Sequence, residues 1–148
     1  MSDRLALAGL MYLHVLSLSL WFGGLFGYVF MVWPAIMREA GDAFPRDLLA
    51  MIAIRTARWI YLAMVTALLS LAGIWMLDGR ARTSLLAGYS VLLIALVANN
   101  VYGTLVAWPR IMFLPESLAR HEWYWFRVRM TISLVVGLAL HGAAIIAR

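Results

Sequence analysis

Two histidines lie inside long apolar stretches of the sequence, where an ionisable side chain is costly. His14 lies in the first stretch and His141 in the last. A polar side chain within a membrane span is a candidate functional residue, because burying it without a purpose is unfavourable. No aspartate or glutamate lies inside these stretches, and the chain contains 0 cysteines. Neutral imidazole is therefore the strongest ligand available there, and it suits haem iron, or copper assisted by a thioether.

The two imidazoles are expected at similar depth from one face of the membrane. The first stretch runs inward and the last returns, and the rise per residue puts each histidine about 10–14 Å from that face. This arrangement predicts a b-type haem held by His14 and His141 as axial ligands. A purely structural role, in which each histidine bonds to a neighbouring helix, stays open. His121, between Arg120 and Glu122, is expected to be solvated.

Residues around the histidines favour a flat macrocycle. His14, Ser17, Trp21, Gly24 and Tyr28 follow a spacing of three and four residues, which places them on one helix face. Further along the chain, Tyr89 is expected at a comparable depth, Gly137 one turn before His141 would allow close approach, and arginines would meet the propionates. The predicted cofactor site comprises His14, His141, Trp21, Gly24, Tyr89, Gly137, Arg80 and Arg82, with Arg4 and Arg148 at the same face.

Copper is the alternative cofactor. Met11 lies one turn before His14, and the chain contains 9 methionines, whose soft thioethers could pass Cu(I) along. Methionines in so apolar a chain also serve as packing material. Two further polar residues, Asn99 and Asn100, fall within the third stretch, where a hydrogen bond between helices is favoured over a substrate contact.

The composition predicts the membrane-spanning helices that must position these residues. Of 148 residues, 65% are hydrophobic and 13% are charged, with a mean hydropathy of +0.89. Soluble domains have about 45–50% and about 25% respectively, so a free soluble domain is excluded. Four apolar runs, about 5–36, 59–77, 83–108 and 128–147, are long enough to cross a bilayer. They predict an all-α fold: one integral membrane domain, 1–148, built as a four-helix bundle.

The basic residues predict an orientation. All 12 are arginine, the net charge is +5, and they lie between apolar runs, which indicates a membrane protein rather than a nucleic-acid partner. Most fall in the loops 38–58 and 110–129, so the rule that cytoplasmic loops are positive puts both termini outside. We expect a multi-pass membrane protein. Its expected partners are lipid, further copies of itself and a membrane redox protein.

A short motif occurs twice, 75 residues apart. Trp33-Pro34 is followed by Ile36-Met37, and Trp108-Pro109 by Ile111-Met112. Proline should stop or kink each helix, with tryptophan at the headgroups. The echo suggests two helical hairpins related by an axis along the membrane normal, in which Tyr89 is the counterpart of His14. The segments 47–58 and 116–129 are typical of short interfacial helices that run into the spans after them, and ordinary membrane anchors at a helix start are the favoured alternative to a substrate role.

The first helix resembles a known membrane superfamily. His14 to Phe26 reads H-V-L-S-L-S-L-W-F-G-G-L-F, with tryptophan seven residues after histidine and then a small-residue pair. This is similar to a bacterial superfamily that joins HemJ-like protoporphyrinogen oxidases and CopD-like copper-resistance proteins. The first helix is more HemJ-like. The remainder, including Asn99–Ile111 with its Trp-Pro-Arg-Ile ending, is more CopD-like.

The resemblance implies a location in a bacterial cytoplasmic membrane and haem binding at His14. HemJ-like enzymes also use an intramembrane lysine and an Asn-Glu pair, whereas this chain has no lysine and reads Phe126-Arg127-Val128-Arg129-Met130 in that region. The haem pocket is therefore the better-supported implication, for electron transfer or haem-related redox chemistry. If the protein is an enzyme, a haem-dependent membrane oxidoreductase is expected. The alternatives are CopD-like copper transport and a non-catalytic membrane interaction subunit.

Overall fold

The chain is all-α, as predicted. A computed structural model describes residues 2–41, 45–77 and 83–146, and those ranges contain four long helices and no strand. Helix α1 comprises Ser2–Phe26, a π-helical turn Gly27–Val32 and Trp33–Ala40; α2 is Arg46–Leu77; α3 comprises Thr83–Tyr102, a π-helical turn Gly103–Ala107 and Trp108–Phe113; α4 is Glu116–Ile146.

The two Trp-Pro motifs do not end their helices. Each proline follows a π-helical turn, in which the N–H of Trp33 bonds to the carbonyl of Tyr28 and that of Trp108 bonds to Gly103. A proline inside an α-helix lacks a donor, and its ring crowds the carbonyl one turn back. A widened turn just before the proline accommodates both defects. Helix α1 therefore continues past Pro34 to Ala40, and α3 continues to Phe113.

The connections are shorter than the sequence indicated. The segment 47–58 forms the first turns of α2, which runs unbroken from Arg46 to Leu77, as expected for a helix that runs into the second span. The segment from Glu116 likewise belongs to α4. Helix α1 ends at Gly41, whose φ of 60° is a conformation that glycine adopts without strain.

Within the part of the chain that the structure describes, three helical segments are long and apolar enough to cross a membrane: Asp3–Ala40, Arg46–Leu77 and Leu86–Phe113. Large apolar side chains are exposed along all of them, including Leu20, Leu69 and Val91. Such a surface is compatible with lipid and unsuited to water. The protein therefore has the character of a multi-pass membrane protein. The fourth predicted span runs beyond the described residues and stays a prediction.

Close approaches at glycines fix the packing between helices. Leu10 of α1 fills the notch at Gly73 of α2, Met130 of α4 fills that at Gly103 of α3, and Phe22 of α1 fills that at Gly137 of α4. Added Cβ atoms there would lie 2.8, 2.6 and 2.2 Å from these side chains, so no larger residue fits without movement. Small residues at such crossings let membrane helices approach closely.

The tryptophans of the two Trp-Pro motifs meet in one aromatic cluster. Trp33 and Trp108, the tryptophans of the two motifs, both pack on Trp123 of α4, with ring centroids 4.2 and 5.3 Å away. Arg46 of α2 donates to the carbonyl of Met112 at 2.8 Å and also to that of Leu114. The start of α2 is thereby fastened to the end of α3.

Candidate functional site around His14

His14 is buried at a junction of three helices. Its side chain is only 6% exposed. Its Nδ1 lies 2.9 Å from the carbonyl oxygen of Ala67 and 3.0 Å from the hydroxyl of Ser70, both on α2. Its Nε2 lies 2.5 Å from the hydroxyl of Tyr89 on α3. The histidine predicted to act as a ligand is therefore held in a polar cluster between three apolar helices.

These partners settle which nitrogen of His14 carries the proton. A carbonyl oxygen only accepts, so the contact with Ala67 requires Nδ1 to donate. The Ser70 hydroxyl also donates to the Ala67 carbonyl, at 3.0 Å, so its oxygen can accept from the same Nδ1–H. Nε2 then holds the lone pair and accepts from the Tyr89 hydroxyl. A neutral imidazole whose Nδ1–H is fixed by a main-chain carbonyl is the arrangement found in metal-ligating histidines.

Tyr89 was predicted near His14, and it directly contacts it. Its ring lies 5.6 Å from the imidazole, centroid to centroid, and is partly buried. Ser70 was not predicted to contact His14. The sequence contains a signal for it, because Ser70, like Ser17, is a polar residue inside an apolar span. Ser17 itself donates to the carbonyl of Leu13 within its own helix, at 2.7 Å.

Trp21 and Gly24 lie on α1 as predicted, but their contacts are with protein. Trp21 is fully buried and stacks on Phe22, with centroids 4.9 Å apart and planes 15° apart. Its indole N–H has no hydrogen-bond partner among the described residues. Gly24 is exposed, and a Cβ there would lie 3.9 Å from Ile60, an ordinary contact.

His141 lies on α4, and its Nδ1 is buried without a hydrogen-bond partner in the described part of the chain. The close approach predicted for the neighbouring Gly137 exists, but Phe22 occupies it. This contact is made by the far end of the Phe22 ring and does not fix which position of α1 lies level with His141. The equal depth of His14 and His141 stays a prediction.

The remaining predicted residues are distributed as follows. Arg80, Arg82 and Arg148 lie outside the described residues, and Arg4 is exposed. His121 is exposed, as expected, and accepts a hydrogen bond from Trp125 at 3.2 Å. Among the described residues, no group of three or more histidine, aspartate or glutamate side chains could hold a metal.

Asn99 makes the predicted contact between helices. Its amide donates to Ser133 at 2.7 Å and accepts from Arg129 at 3.0 Å, both on α4. Arg129 also lies 4.5 Å from the centre of the Tyr102 ring. The Arg129 guanidinium is thus stabilised by a hydrogen bond to an amide and by an aromatic face. Asn100 points elsewhere, as the rotation between adjacent helical residues requires, and lines a cavity.

Comparison with known proteins finds no family model, no curated protein and no solved structure that matches this chain.

Proposed function

We propose that the protein binds b-type haem in the membrane through His14, for electron transfer or haem-related redox chemistry. The carrying observation is the Nδ1–H of His14 bonded to the Ala67 carbonyl, 2.9 Å away. That bond fixes the tautomer and leaves Nε2 as the donor atom of a neutral imidazole inside a span. The haem would supply one-electron chemistry at its iron.

The chain's own residues have distinct tasks in this proposal. Ala67 and Ser70 orient the imidazole. Tyr89 bonds to Nε2, so its hydroxyl must leave this nitrogen before iron can be ligated there. The Tyr89 side chain is partly buried, and its release would require it to rotate away from Nε2.

The proposal assigns one protein ligand rather than two. The Ala67 carbonyl orients the Nδ1–H of His14, whereas the Nδ1 of His141 has no hydrogen-bond partner among the described residues. Haem held by His14 alone would supply substrate or oxygen chemistry as well as electron transfer. The unpartnered Nδ1 of His141 is the observation that speaks for a second ligand, so His141 belongs in the test.

A structural role for His14 is the competing function. Its two nitrogens reach α2 and α3 from α1, so the imidazole ties three helices together. In that case the protein is a membrane interaction subunit without a cofactor. Copper at Met11 and His14 is tested on the same sample, by metal stoichiometry.

We further propose a four-span bundle in a bacterial cytoplasmic membrane, associated with further copies of itself and with both termini outside. The excess of arginine in 38–58 and 110–129 supports this orientation. The chain contains 0 cysteines, so single cysteines can report it. A membrane-impermeant maleimide added to intact cells should label Asp3→Cys but not Glu39→Cys, and the reverse pattern would overturn the orientation.

Haem titration of the purified chain tests the main proposal. In mild detergent, the wild type should bind one haem per chain with a shifted Soret band. His14→Ala should lose this band, whereas His121→Ala, altered at an exposed histidine, should keep it. His141→Ala should bind haem with unchanged spin state. Equal binding by wild type and His14→Ala would refute the assignment, and a low-spin to high-spin change in His141→Ala would restore a two-histidine site.

A further inference from the structure

An open cavity of about 380 Å³ lies between the last turns of α1 and the first turns of α4. Its wall combines two cations with apolar side chains: Arg120, Arg127 and Trp123 of α4, and Trp33, Pro34 and Met37 of α1. His14 does not line this cavity, so the cavity is separate from the proposed haem site.

The two arginines lie on one face of α4. They are separated by two helical turns, about 10 Å along the helix axis. Arg120 donates to the carboxylate of Glu116 at 3.2 Å, and the two side chains are 42% and 53% exposed. Such an exposed ion pair contributes little free energy. An anion that enters the cavity can therefore compete with Glu116 for the Arg120 guanidinium.

Arg127 lines the cavity with an aromatic ring, rather than a carboxylate, beside its charge. Its guanidinium carbon lies 5.9 Å from the centre of the Trp33 ring, and it forms no ion pair with the described acidic residues. Its Nε is enclosed by protein, so a ligand would contact the terminal nitrogens of this partly buried side chain. A ring balances a cation only in part, and Arg127 therefore favours an anion in the cavity.

The cavity lies where an apolar segment of α1 ends and charged residues begin. Residues 5–37 contain no arginine, lysine, aspartate or glutamate, and Arg38 follows directly. Trp33, in the cavity wall, is of the residue type that is enriched at the level of lipid head groups. About one turn nearer the middle of the apolar segment, Phe30 is 48% exposed. A ligand with a charged group in the cavity and an apolar chain beside Phe30 would match both surfaces.

The geometry points to a binding site for the head group of an acidic phospholipid, with Arg120 and Arg127 donating to its phosphate oxygens. Guanidinium groups bind phosphate through paired, charge-assisted hydrogen bonds, and basic pockets between membrane helices bind acidic head groups. A soluble anion offers the same oxygens but leaves the exposed face of Phe30 uncovered. A zwitterionic lipid covers that face but brings no net charge to balance two guanidiniums. This inference does not rest on haem binding at His14.

Titration with dioleoyl phosphatidylglycerol tests the site. The full protein in a neutral detergent is titrated with this lipid, and native mass spectrometry measures the fraction of protein that carries it. Arg127→Gln should raise Kd about tenfold, the usual effect of losing a charge-assisted hydrogen bond. Arg120→Gln should raise it about threefold, because Glu116 already shares this guanidinium. Arg55→Gln, altered at an exposed arginine of α2 outside the cavity, is the matched control and should leave Kd unchanged.

Glu116→Gln distinguishes lost charge from a damaged fold. It removes the carboxylate that competes for Arg120, so it should lower Kd, which misfolding cannot do. Dioleoyl phosphatidylcholine should bind more weakly than phosphatidylglycerol, and inorganic phosphate at the same concentration should not displace the acidic lipid.

Four results would overturn the proposal: an unchanged Kd in Arg127→Gln, a raised Kd in Glu116→Gln, equal binding of the two lipids, or displacement by inorganic phosphate, which would indicate a site for a free anion. His14→Ala should leave the Kd for the lipid unchanged. Failure of this proposal and failure of the haem proposal are therefore distinguishable.

Discussion

His14 and Tyr89 occupy corresponding positions in the two repeats, and they hydrogen-bond to one another: the Tyr89 hydroxyl donates to Nε2 at 2.5 Å across 75 residues of sequence. The same offset relates Trp33 to Trp108, which both pack on Trp123. Helices α1 and α3 are therefore parallel and level at both ends. At this position one segment carries histidine and the other tyrosine, and the two side chains meet there.

Removing the Tyr89 hydroxyl should separate stability from haem binding. Tyr89→Phe leaves the buried Nε2 of His14 without this donor, so the haem-free protein should lose about 1–3 kcal/mol of unfolding free energy. Haem affinity should rise, because the hydroxyl no longer competes for Nε2. Thermal unfolding and haem titration of the same sample measure both effects. Weaker haem binding in Tyr89→Phe would contradict the assignment of Nε2 as the iron ligand.

The notch at Gly137 should tolerate no larger residue. A Cβ there would lie 2.2 Å from the Phe22 ring, so Gly137→Ala should destabilise the protein by about 1–3 kcal/mol through overpacking. Gly88→Ala is the matched control, since a Cβ at Gly88 meets no atom within 4 Å. Adding Phe22→Leu to Gly137→Ala should recover part of the loss. If both glycine variants unfold at the same temperature, the close packing of α1 on α4 is wrong.

Arg46 should stabilise the fold more than an exposed arginine. Arg46→Ala removes its hydrogen bonds to the carbonyls of Met112 and Leu114, and bonds from a charged donor contribute about 1.5–3 kcal/mol. Arg46→Lys should restore part of this, because an ammonium group cannot span two carbonyls as a guanidinium does. Unfolding in detergent, followed by helical circular dichroism, measures the series. Arg38→Ala, at an exposed position, should leave the free energy of unfolding nearly unchanged. An equal loss of stability in Arg46→Ala and Arg38→Ala would contradict the stabilising role of the Arg46 hydrogen bonds.

The contact between Asn99 and Arg129 should be energetically coupled. Asn99→Leu leaves the guanidinium without its amide acceptor, and Arg129→Leu removes the charge itself. A double-mutant cycle should give a coupling energy of about 1–2 kcal/mol, as expected for directly bonded side chains. Additive losses in the double variant would mean that the two residues act independently. Thr66→Val, altered at a hydroxyl that bonds within its own helix to Leu62, is a control for polar loss.

The sequence predicted the parts of this structure that follow from the cost of burying a polar group and from the spacing of residues along the chain. An ionisable residue in an apolar run marked His14, and the distance between the repeats marked Tyr89. The π-helical turns could not be predicted, because a proline in a helix indicates a lost hydrogen bond but does not determine whether the helix ends, kinks or widens. Apolar periodicity alone does not determine which helix faces meet. For this reason the sequence did not predict the contact of Phe22 with Gly137, the hydrogen bonds of Arg46 or the cavity lined by Arg120 and Arg127.

Chemical rescue tests the central assignment most directly. His14→Gly removes the imidazole and leaves a space of its size, so this variant should purify without haem and show no Soret band after reconstitution. Free imidazole in millimolar amounts should then restore the band, as it supplies the missing donor atom. Wild type should need no imidazole. Full haem binding by His14→Gly without imidazole, or a wild-type chain that takes up no haem at all, would contradict haem ligation by His14.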